Sequence, residues 1–222
     1  MKFKDFKGPL IGKDRVERYV KSLRRKDKIK RIYHPLIDRI LSERIQSPRR
    51  ILDLGTGPGF LAAEFARKIS RASVVGLDLS PDMIEYAKTF IENKSLKNLD
   101  FVLGDAQEIP FEAGYFDIVV SHGMIKCVSN VRKMLGEVYR VLSEGGCAYL
   151  VDSRRDVSLE EFDEVTRGFH PIDVEKSRRS VNKSYRTDEI KAILDEMVFK
   201  DEASIKVKGL TFEIKICKSA LR

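Results

Sequence analysis

A glycine-rich bend is the stretch of this sequence best suited to hold a ligand. Residues 53–59 read DLGTGPG and separate an apolar stretch typical of a strand (50–54) from a segment with helical spacing. Glycine tolerates positive φ angles and lets the backbone approach a ligand closely. In open α/β sheets, ligands bind in the crevice where strands end and helices begin. The bend therefore predicts a binding site for a small ligand.

Two acidic residues at later strand ends indicate what that ligand contains. Asp78 ends the second predicted strand, and a carboxylate there can accept hydrogen bonds from both vicinal hydroxyls of a ribose. Asp105 and Ala106 follow the third predicted strand, where a side chain and a backbone amide could recognise the edge of adenine. The pattern favours a nucleoside-containing ligand, with helix capping as the alternative role for Asp78.

Several other chemistries are disfavoured by residues that the sequence lacks or replaces. The bend has no GK[ST] sequence, which argues against a phosphate-loop nucleotidase, and Phe60 stands where dinucleotide-binding loops place a small residue. The cysteines are odd in number and far apart, so neither a disulfide framework nor a zinc site is predicted. We therefore expect Cys127, Cys147 and Cys217 to be buried thiols, and we predict no metal site.

The elements around the bend alternate between strand and helix. Apolar strands are predicted over residues 50–54, 73–77, 101–103, 116–121 and 147–151, with amphipathic helices between them. The tail instead alternates apolar and polar residues over 205–216, which predicts a β-hairpin. This order predicts an α/β fold, a Rossmann-like doubly wound and mostly parallel sheet with helices on both faces and an antiparallel C-terminal hairpin.

The flanking segments suggest a division of the chain. Residues 1–47 are expected to form a basic helical arm or cap, in which Pro35 marks a kink or a boundary. Residues 48–222 are expected to form the α/β domain. Within it, residues 153–186 are charged and weakly periodic, so they are predicted to be an insertion that could cover a substrate.

Five successive motifs carry a resemblance to a known family. They read ILDLGTGPGFL, VVGLDLSPDMIEYAK, LGDAQEIPF, FDIVVSHGMIKCV and RVLSEGGCAYLVD. In order and spacing they resemble the motifs of class I S-adenosylmethionine-dependent methyltransferases, in particular the methyltransferase type 11 branch related to quinone biosynthesis. The resemblance is strong over residues 48–152 and loose over 187–217. It implies a seven-stranded sheet, S-adenosylmethionine as cofactor and a methyl transfer reaction.

The resemblance also implies roles for individual residues around the cofactor. Asp53 would act near the amino group, the bend would lie under the methionine portion, Asp78 would hold the ribose, and Ser121 would lie near the methyl end. The complete set of implied cofactor-binding residues is Asp53, Gly55, Thr56, Gly57, Asp78, Leu79, Asp105, Ala106 and Ser121.

Three histidines and one tyrosine are the candidates for contact with the methyl acceptor. His122 follows the fourth predicted strand and is the candidate general base, with a pocket-lining role as the alternative. Tyr33 and His34 belong to the N-terminal segment, which covers the cofactor in many family members, and ordinary helix packing is their alternative role. His170 lies in the predicted insertion, where it could contact the substrate or simply occupy a surface turn.

The charge distribution leaves the partner open. The net charge is +8, and residues 1–31 hold 13 Lys and Arg against 4 Asp and Glu. A small-molecule acceptor is the main prediction. RNA, a protein or another anionic partner docked on the arm is an alternative, as is a non-catalytic regulatory subunit that binds the cofactor. No apolar run is long enough for a membrane span and no secretory signal is visible, so a cytoplasmic location is expected. The oligomeric state is left open.

Overall fold

The computed structural model describes residues 11–23, 28–43, 48–92 and 96–220. Parts of the predicted basic arm, residues 1–10, 24–27 and 44–47, lie outside these ranges. The strands are β1 (Arg50–Leu54), β2 (Ser73–Asp78), β3 (Leu99–Leu103), β4 (Phe116–His122), β5 (Leu142–Ser153), β6 (Ala203–Lys208) and β7 (Thr211–Cys217). The helices are α1 (Lys13–Leu23), α2 (Lys28–Ser42), α3 (Phe60–Lys68), α4 (Pro81–Glu92), α5 (Val131–Val141), α6 (Leu159–Thr166), α7 (Pro171–Lys183) and α8 (Thr187–Asp195).

The strands form one seven-stranded sheet in the order β3-β2-β1-β4-β5-β7-β6. Strands β1 to β5 pair in parallel, while β7 pairs antiparallel with both β5 and β6. The strand order reverses at β1, because β2 and β3 lie on one side of β1 and β4 and β5 lie on the other. This confirms the predicted doubly wound sheet with its C-terminal hairpin, and it opens a crevice at the carboxyl end of β1.

Alternate residues of the central strands pack on opposite faces of the sheet. Ile51 and Ile118 belong to a core with α2, α3 and α4, whereas Leu52 and Val119 belong to a core with α5 and α8. Each of these four side chains is fully buried. Continuous apolar strands are typical of parallel sheets covered on both faces, which is why short apolar runs in the sequence could locate them.

Helix α2 passes through Pro35 without ending there, so of the two expectations for that residue, a kink or a boundary, the boundary is excluded. The missing amide hydrogen bond is a local penalty. It is offset by the side chains that follow, since Leu36, Ile37 and Ile40 are buried against the face that holds α3. Helical stability in proteins comes mostly from the packing of such an apolar face.

The segment after β5, predicted as a charged and weakly periodic insertion, is helical. Residues 153–186 contain two helices, α6 and α7. Ser158 caps α6, because its hydroxyl accepts from the amide of Glu161 at 3.1 Å. His170 caps α7 in the same manner, and Pro171 is the first residue of that helix. These local capping signals outweigh the weak periodicity of the helices themselves.

A disulfide joins Cys147 and Cys217, so the expectation of three free thiols was wrong. The two residues face each other across the antiparallel β5–β7 pair, with an S–S distance of 2.07 Å and a Cα–Cα distance of 4.1 Å. They are 70 residues apart in the sequence, and only the strand register makes them neighbours. Cys127 is a free thiol.

Within the described ranges, no helix combines the length and the apolar character that a membrane crossing requires.

Candidate active site

A cavity of about 720 Å³ lies at the carboxyl ends of the parallel strands. One wall comes from the glycine bend and from the residues that follow β2 and β3. The opposite part of the lining comes from the ends of β4 and β5, and side chains of α1 and α2 complete the lining. The lining includes Tyr19, Leu23, Ile32, Tyr33, Gly55, Gly57, Asp78, Leu79, Asp105, Ala106, His122, Gly123, Lys126, Cys127 and Asp152.

Two glycines of the bend are needed for different reasons. Gly55 and Gly57 both have positive φ angles, 72° and 53°. A Cβ atom on Gly55 would lie 2.4 Å from Cγ of Met124, so packing alone excludes a larger residue there. A Cβ atom on Gly57 would meet no atom within 4 Å, because this glycine borders open space in the cavity. The space beside Gly57 is therefore available to a ligand.

The carboxylate of Asp78 ties the bend to the end of β2. Its Oδ2 accepts from the amide of Gly57 at 2.8 Å, and its Oδ1 accepts from the amide of Ser80 at 2.9 Å. Burial raises the pKa of Asp78, while these backbone hydrogen bonds act in the opposite direction. The hydroxyl of Ser80 accepts from the amide of Met83 and so caps α4. Asp78 thus anchors the bend and also lines the cavity.

Asp53 supports the bend from beneath and does not line the cavity. Its Oδ2 accepts from the hydroxyl of Thr56 at 2.7 Å and from the amide of Ala62 at 3.1 Å. Burial raises the pKa of Asp53 to about 7. Ser121 is also fully buried behind the wall, and its hydroxyl has no hydrogen-bond partner among the described residues.

The far end of this wall offers an apolar surface beside polar groups. Leu79 is 44% exposed although it follows a buried strand, and it lines the cavity together with Asp105 and Ala106. The carboxylate of Asp105 is oriented by the amide of Gln107, which donates to Oδ1 at 2.8 Å. A flat apolar ring with a polar edge, such as adenine, fits these groups.

His122 and Tyr33 meet at the other end of the cavity. Their rings contact edge to face, with 5.5 Å between centroids and 78° between planes. Burial lowers the pKa of His122 to about 4, so its imidazole is neutral at physiological pH. Burial raises the pKa of Tyr33, so its phenol keeps its proton.

Two of the predicted contact residues lie away from the cavity. Nε2 of His34 is 2.9 Å from the carboxylate of Glu64 in α3. Nδ1 of His170 accepts from the amide of Ile172 at 3.3 Å as the cap of α7. Tyr33 is thus the member of this predicted group that lines the cavity beside His122.

The structure adds an ion pair that the sequence reasoning missed. Nζ of Lys126 lies 2.6 Å from Oδ1 of Asp152, and both residues line the cavity. Asp152 was included in the fifth predicted motif without a role, and Lys126 lies four residues after His122. The signal in the sequence was their position, since Lys126 lies just beyond the carboxyl end of β4 and Asp152 lies at the carboxyl end of β5.

Three arginines in α7 and at the start of α8 have partners at the surface. The side chains of Arg179 and Glu175 form an ion pair at 2.7 Å, Arg186 pairs with Asp188 at 3.0 Å, and the Arg178 guanidinium lies 4.6 Å from the Phe162 ring centroid. None of the three arginines lines the cavity, so they are not placed to contact a molecule in it.

The doubly wound sheet, the glycine bend and the carboxylate that follows β2 define a class I S-adenosylmethionine-dependent methyltransferase. Residues 45–201 match the family described as "Methyltransferase domain", so the chain belongs to that family. The residues of the cavity fit an adenosyl group, since Gly57 leaves space for it and Asp78 and Leu79 present a carboxylate and an apolar surface there.

Relatives with assigned activities match the central part of the chain. Malonyl-[acyl-carrier protein] O-methyltransferase of Legionella pneumophila is 39% identical over 111 residues, 48% of this chain and 38% of that protein. Demethylmenaquinone methyltransferase of Thermus thermophilus is 40% identical over 101 residues, 46% of each chain. The matched segment therefore spans less than half the length of these relatives.

A solved structure extends the similarity to the whole chain. A candidate S-adenosyl-L-methionine-dependent methyltransferase from Methanococcus maripaludis has a TM-score of 0.76 and 25% identity, and covers 100% of this chain and 96% of its own. The plantazolicin methyltransferase BpumL, solved with S-adenosylhomocysteine (SAH), shares the fold at a TM-score of 0.71 and 16% identity, with 93% of this chain and 91% of that chain covered.

Proposed function

We propose that this protein transfers a methyl group from S-adenosylmethionine to a small or medium-sized acceptor. The observation that carries the proposal is the carboxylate of Asp78, which lies beside Gly57 on the cavity wall at the carboxyl end of β2. A carboxylate at this point of a doubly wound sheet is suited to the two hydroxyls of a ribose. The family to which the chain belongs supplies the reaction class.

The cofactor would extend along the wall formed by β1, β2 and β3. Asp78 would accept from the ribose hydroxyls, and the bend would lie under the methionine portion. Asp53 and Thr56 would act from behind the wall by fixing the bend, and Ser121 would lie buried behind the wall near the end of β4. The proposed contact residues are Gly55, Gly57, Asp78, Leu79, Asp105 and Ala106.

The chain's contribution to methyl transfer would be alignment of the acceptor and exclusion of water. The sulfonium methyl needs little activation, because the leaving group is a neutral thioether. Correct orientation of two reactants can supply roughly 7–11 kcal/mol of the barrier in favourable systems. Tyr33 and His122 form the wall where the methyl end would lie, and with a pKa of about 4 His122 is a weak base at neutral pH. We therefore assign His122 to the wall of the acceptor site.

A small acceptor fits the cavity better than a macromolecule does. Four side chains of the first two helices line the cavity, namely Tyr19 and Leu23 of α1 and Ile32 and Tyr33 of α2. They would cover the acceptor end, which is the end of the cavity beside His122. Two relatives are named for malonyl-[acyl-carrier protein] and for demethylmenaquinone as the molecules that they methylate. Docking of RNA on the basic arm is not favoured by any described contact, and the cytoplasmic location expected from the sequence stays a prediction.

Calorimetric titration with S-adenosylmethionine and SAH tests the cofactor site. Wild type should bind both ligands. Asp78→Asn should bind each at least about 100-fold more weakly, since it loses two hydrogen bonds to a charged group worth about 1.5–3 kcal/mol each. Asp100→Asn is the matched control, because Asp100 is an exposed residue of the neighbouring strand β3. Wild type that gives no binding heat would remove the cofactor assignment.

The acceptor is then sought with a panel of metabolites and RNA, in which formation of SAH is followed. Turnover with a small molecule and none with RNA is the expected result. Turnover restricted to RNA or to a protein would reverse the choice of acceptor class while leaving the cofactor site intact.

A further inference from the structure

The acceptor end of the cavity contains a buried ion pair with an unusual arrangement. Lys126 lies in a single turn of 3-10 helix (Ile125–Cys127) that follows β4, and Asp152 is near the end of the neighbouring strand β5. The cofactor wall belongs to β1, β2 and β3, so this pair lies on the other side of β1 from Asp78. It is therefore placed to face the acceptor.

The carboxylate of Asp152 binds both the side-chain ammonium and the backbone amide of Lys126. Its Oδ1 accepts from the Lys126 ammonium at 2.6 Å, and its Oδ2 accepts from the Lys126 amide at 3.1 Å. The ammonium also donates to the carbonyl of Gly123 at 2.7 Å. An ammonium has three N–H donors. The described residues provide these two acceptors, so one donor is left for a molecule in the cavity.

Stability alone does not explain this pair. The Asp152 side chain is 1% exposed and that of Lys126 is 17% exposed, so both charges have lost most of their water. Replacing such a pair by apolar residues is often neutral or stabilising, because desolvation offsets the attraction. A largely buried ammonium held by two acceptors at a cavity wall is better explained by a ligand that it contacts.

The neighbouring titratable groups at this end are uncharged. Burial lowers the pKa of His122 to about 4 and raises the pKa values of Cys127 and Tyr33. None of them is a strong base at neutral pH. An acceptor that arrives already ionised needs no base. When the acceptor is an oxyanion, a lone pair of its oxygen forms the bond to the methyl carbon, and the electron pair of the S–C bond passes to sulfur. The products are a neutral ether or ester and a neutral thioether.

We propose that Lys126 binds an oxyanion of the acceptor, and that the acceptor is a small carboxylate or phenolate with an apolar body. This inference rests on the proposed function. Asp152 is the positioning residue that aims the ammonium, and Leu23, Ile32 and Tyr33 supply the apolar surface around the acceptor. The shared chemistry is a single delocalised negative charge on oxygen.

Binding of matched probes to SAH-loaded protein tests this proposal. Benzoate is compared with benzamide, and para-nitrophenolate with para-nitroaniline, by calorimetry and by the visible absorbance of the phenolate. Wild type should bind at least one anion roughly 10- to 100-fold more tightly than its neutral partner, the range expected for one hydrogen bond to a charged group. Which pair shows the preference separates carboxylate from phenolate acceptors.

Variants then assign the preference to Lys126. Lys126→Met should abolish it without changing the affinity for SAH, and Lys126→Arg should retain part of it. Because Lys126→Met leaves Asp152 unpaired, the double variant Lys126→Met/Asp152→Asn provides a second version without a buried orphan charge. Lys176→Met is the control, since Lys176 is exposed on α7 outside the cavity lining.

The outcomes distinguish this inference from the function on which it rests. Wild type that fails to bind SAH would refute the proposed function. Wild type that binds SAH but prefers neither anion would refute only the role of Lys126. An anion preference that survives in Lys126→Met and in Lys126→Met/Asp152→Asn would refute that role as well.

Discussion

The disulfide between Cys147 and Cys217 should account for a large part of the stability of the fold. It closes a loop of 70 residues that contains α6, α7, α8 and β6. In the chain-entropy description, closing a loop of that size removes enough freedom from the unfolded chain to stabilise the fold by about 4 kcal/mol. Each kcal/mol moves the melting temperature of a domain of this size by roughly 2–4 °C. We therefore expect Cys217→Ser to melt about 10–15 °C lower than wild type.

Thermal unfolding followed by far-ultraviolet circular dichroism measures this difference. Dithiothreitol should lower the melting temperature of wild type towards that of Cys217→Ser and leave the variant unchanged. Cys127→Ser is the matched control, because Cys127 is the free thiol and its loss should not alter the response to reductant. Alkylation of the unfolded protein should label one cysteine before reduction and all three after it.

Two results would refute this reasoning. One is an equal melting temperature for wild type and Cys217→Ser without reductant. The other is alkylation of all three cysteines in protein that has been unfolded but not reduced, since the cross-strand bond would then be absent.

Three further predictions concern the site. Burial raises the pKa of Asp53 to about 7, so its contribution to stability is fully present below pH 3.8 and is lost as the pH rises through 7. Urea unfolding at a series of pH values should show this loss of stability in wild type and not in Asp53→Asn. Tyr33→Ala should admit water beside His122 and raise the pKa of that imidazole above about 4, which a proton NMR titration measures, and an unchanged value would contradict burial as the cause. Gly57→Ala should cost only about 1 kcal/mol of stability but weaken SAH binding strongly, whereas Gly55→Ala should lose stability first because of Met124; equal loss of stability in both variants would contradict the assignment of the open space to the ligand.

The sheet and the residues at the carboxyl edge of β1 and β2 were predictable because each depends on local sequence. Apolar runs locate β1, β2 and β4, and the glycines and Asp78 stand directly at strand ends, where the rules of open α/β sheets place a ligand. The alternating tail likewise predicts β6 and β7. Each of these patterns can be recognised within a few consecutive residues.

The features that were missed depend on residues far apart in the chain. Cys147 and Cys217 become neighbours only through the register of β5 with β7. Lys126 and Asp152 meet because β4 and β5 lie side by side. Helix α2 continues through Pro35 because of burial against the core, which outweighs the local preference. In each case tertiary packing decided what local pattern left open.

The attachment of α2 has a practical consequence for protein engineering. The carboxylate of Glu43, just after α2, accepts from the Tyr149 hydroxyl at 2.9 Å, and Arg39 pairs with Glu213, so the helix is joined to both β5 and β7. Ile37 and Ile40 of this helix are fully buried. A shortened version for crystallisation that starts at the first strand would lack α2 and expose the apolar surface that α2 covers beside α3 and α4, whereas a start ahead of residue 28 preserves that covering.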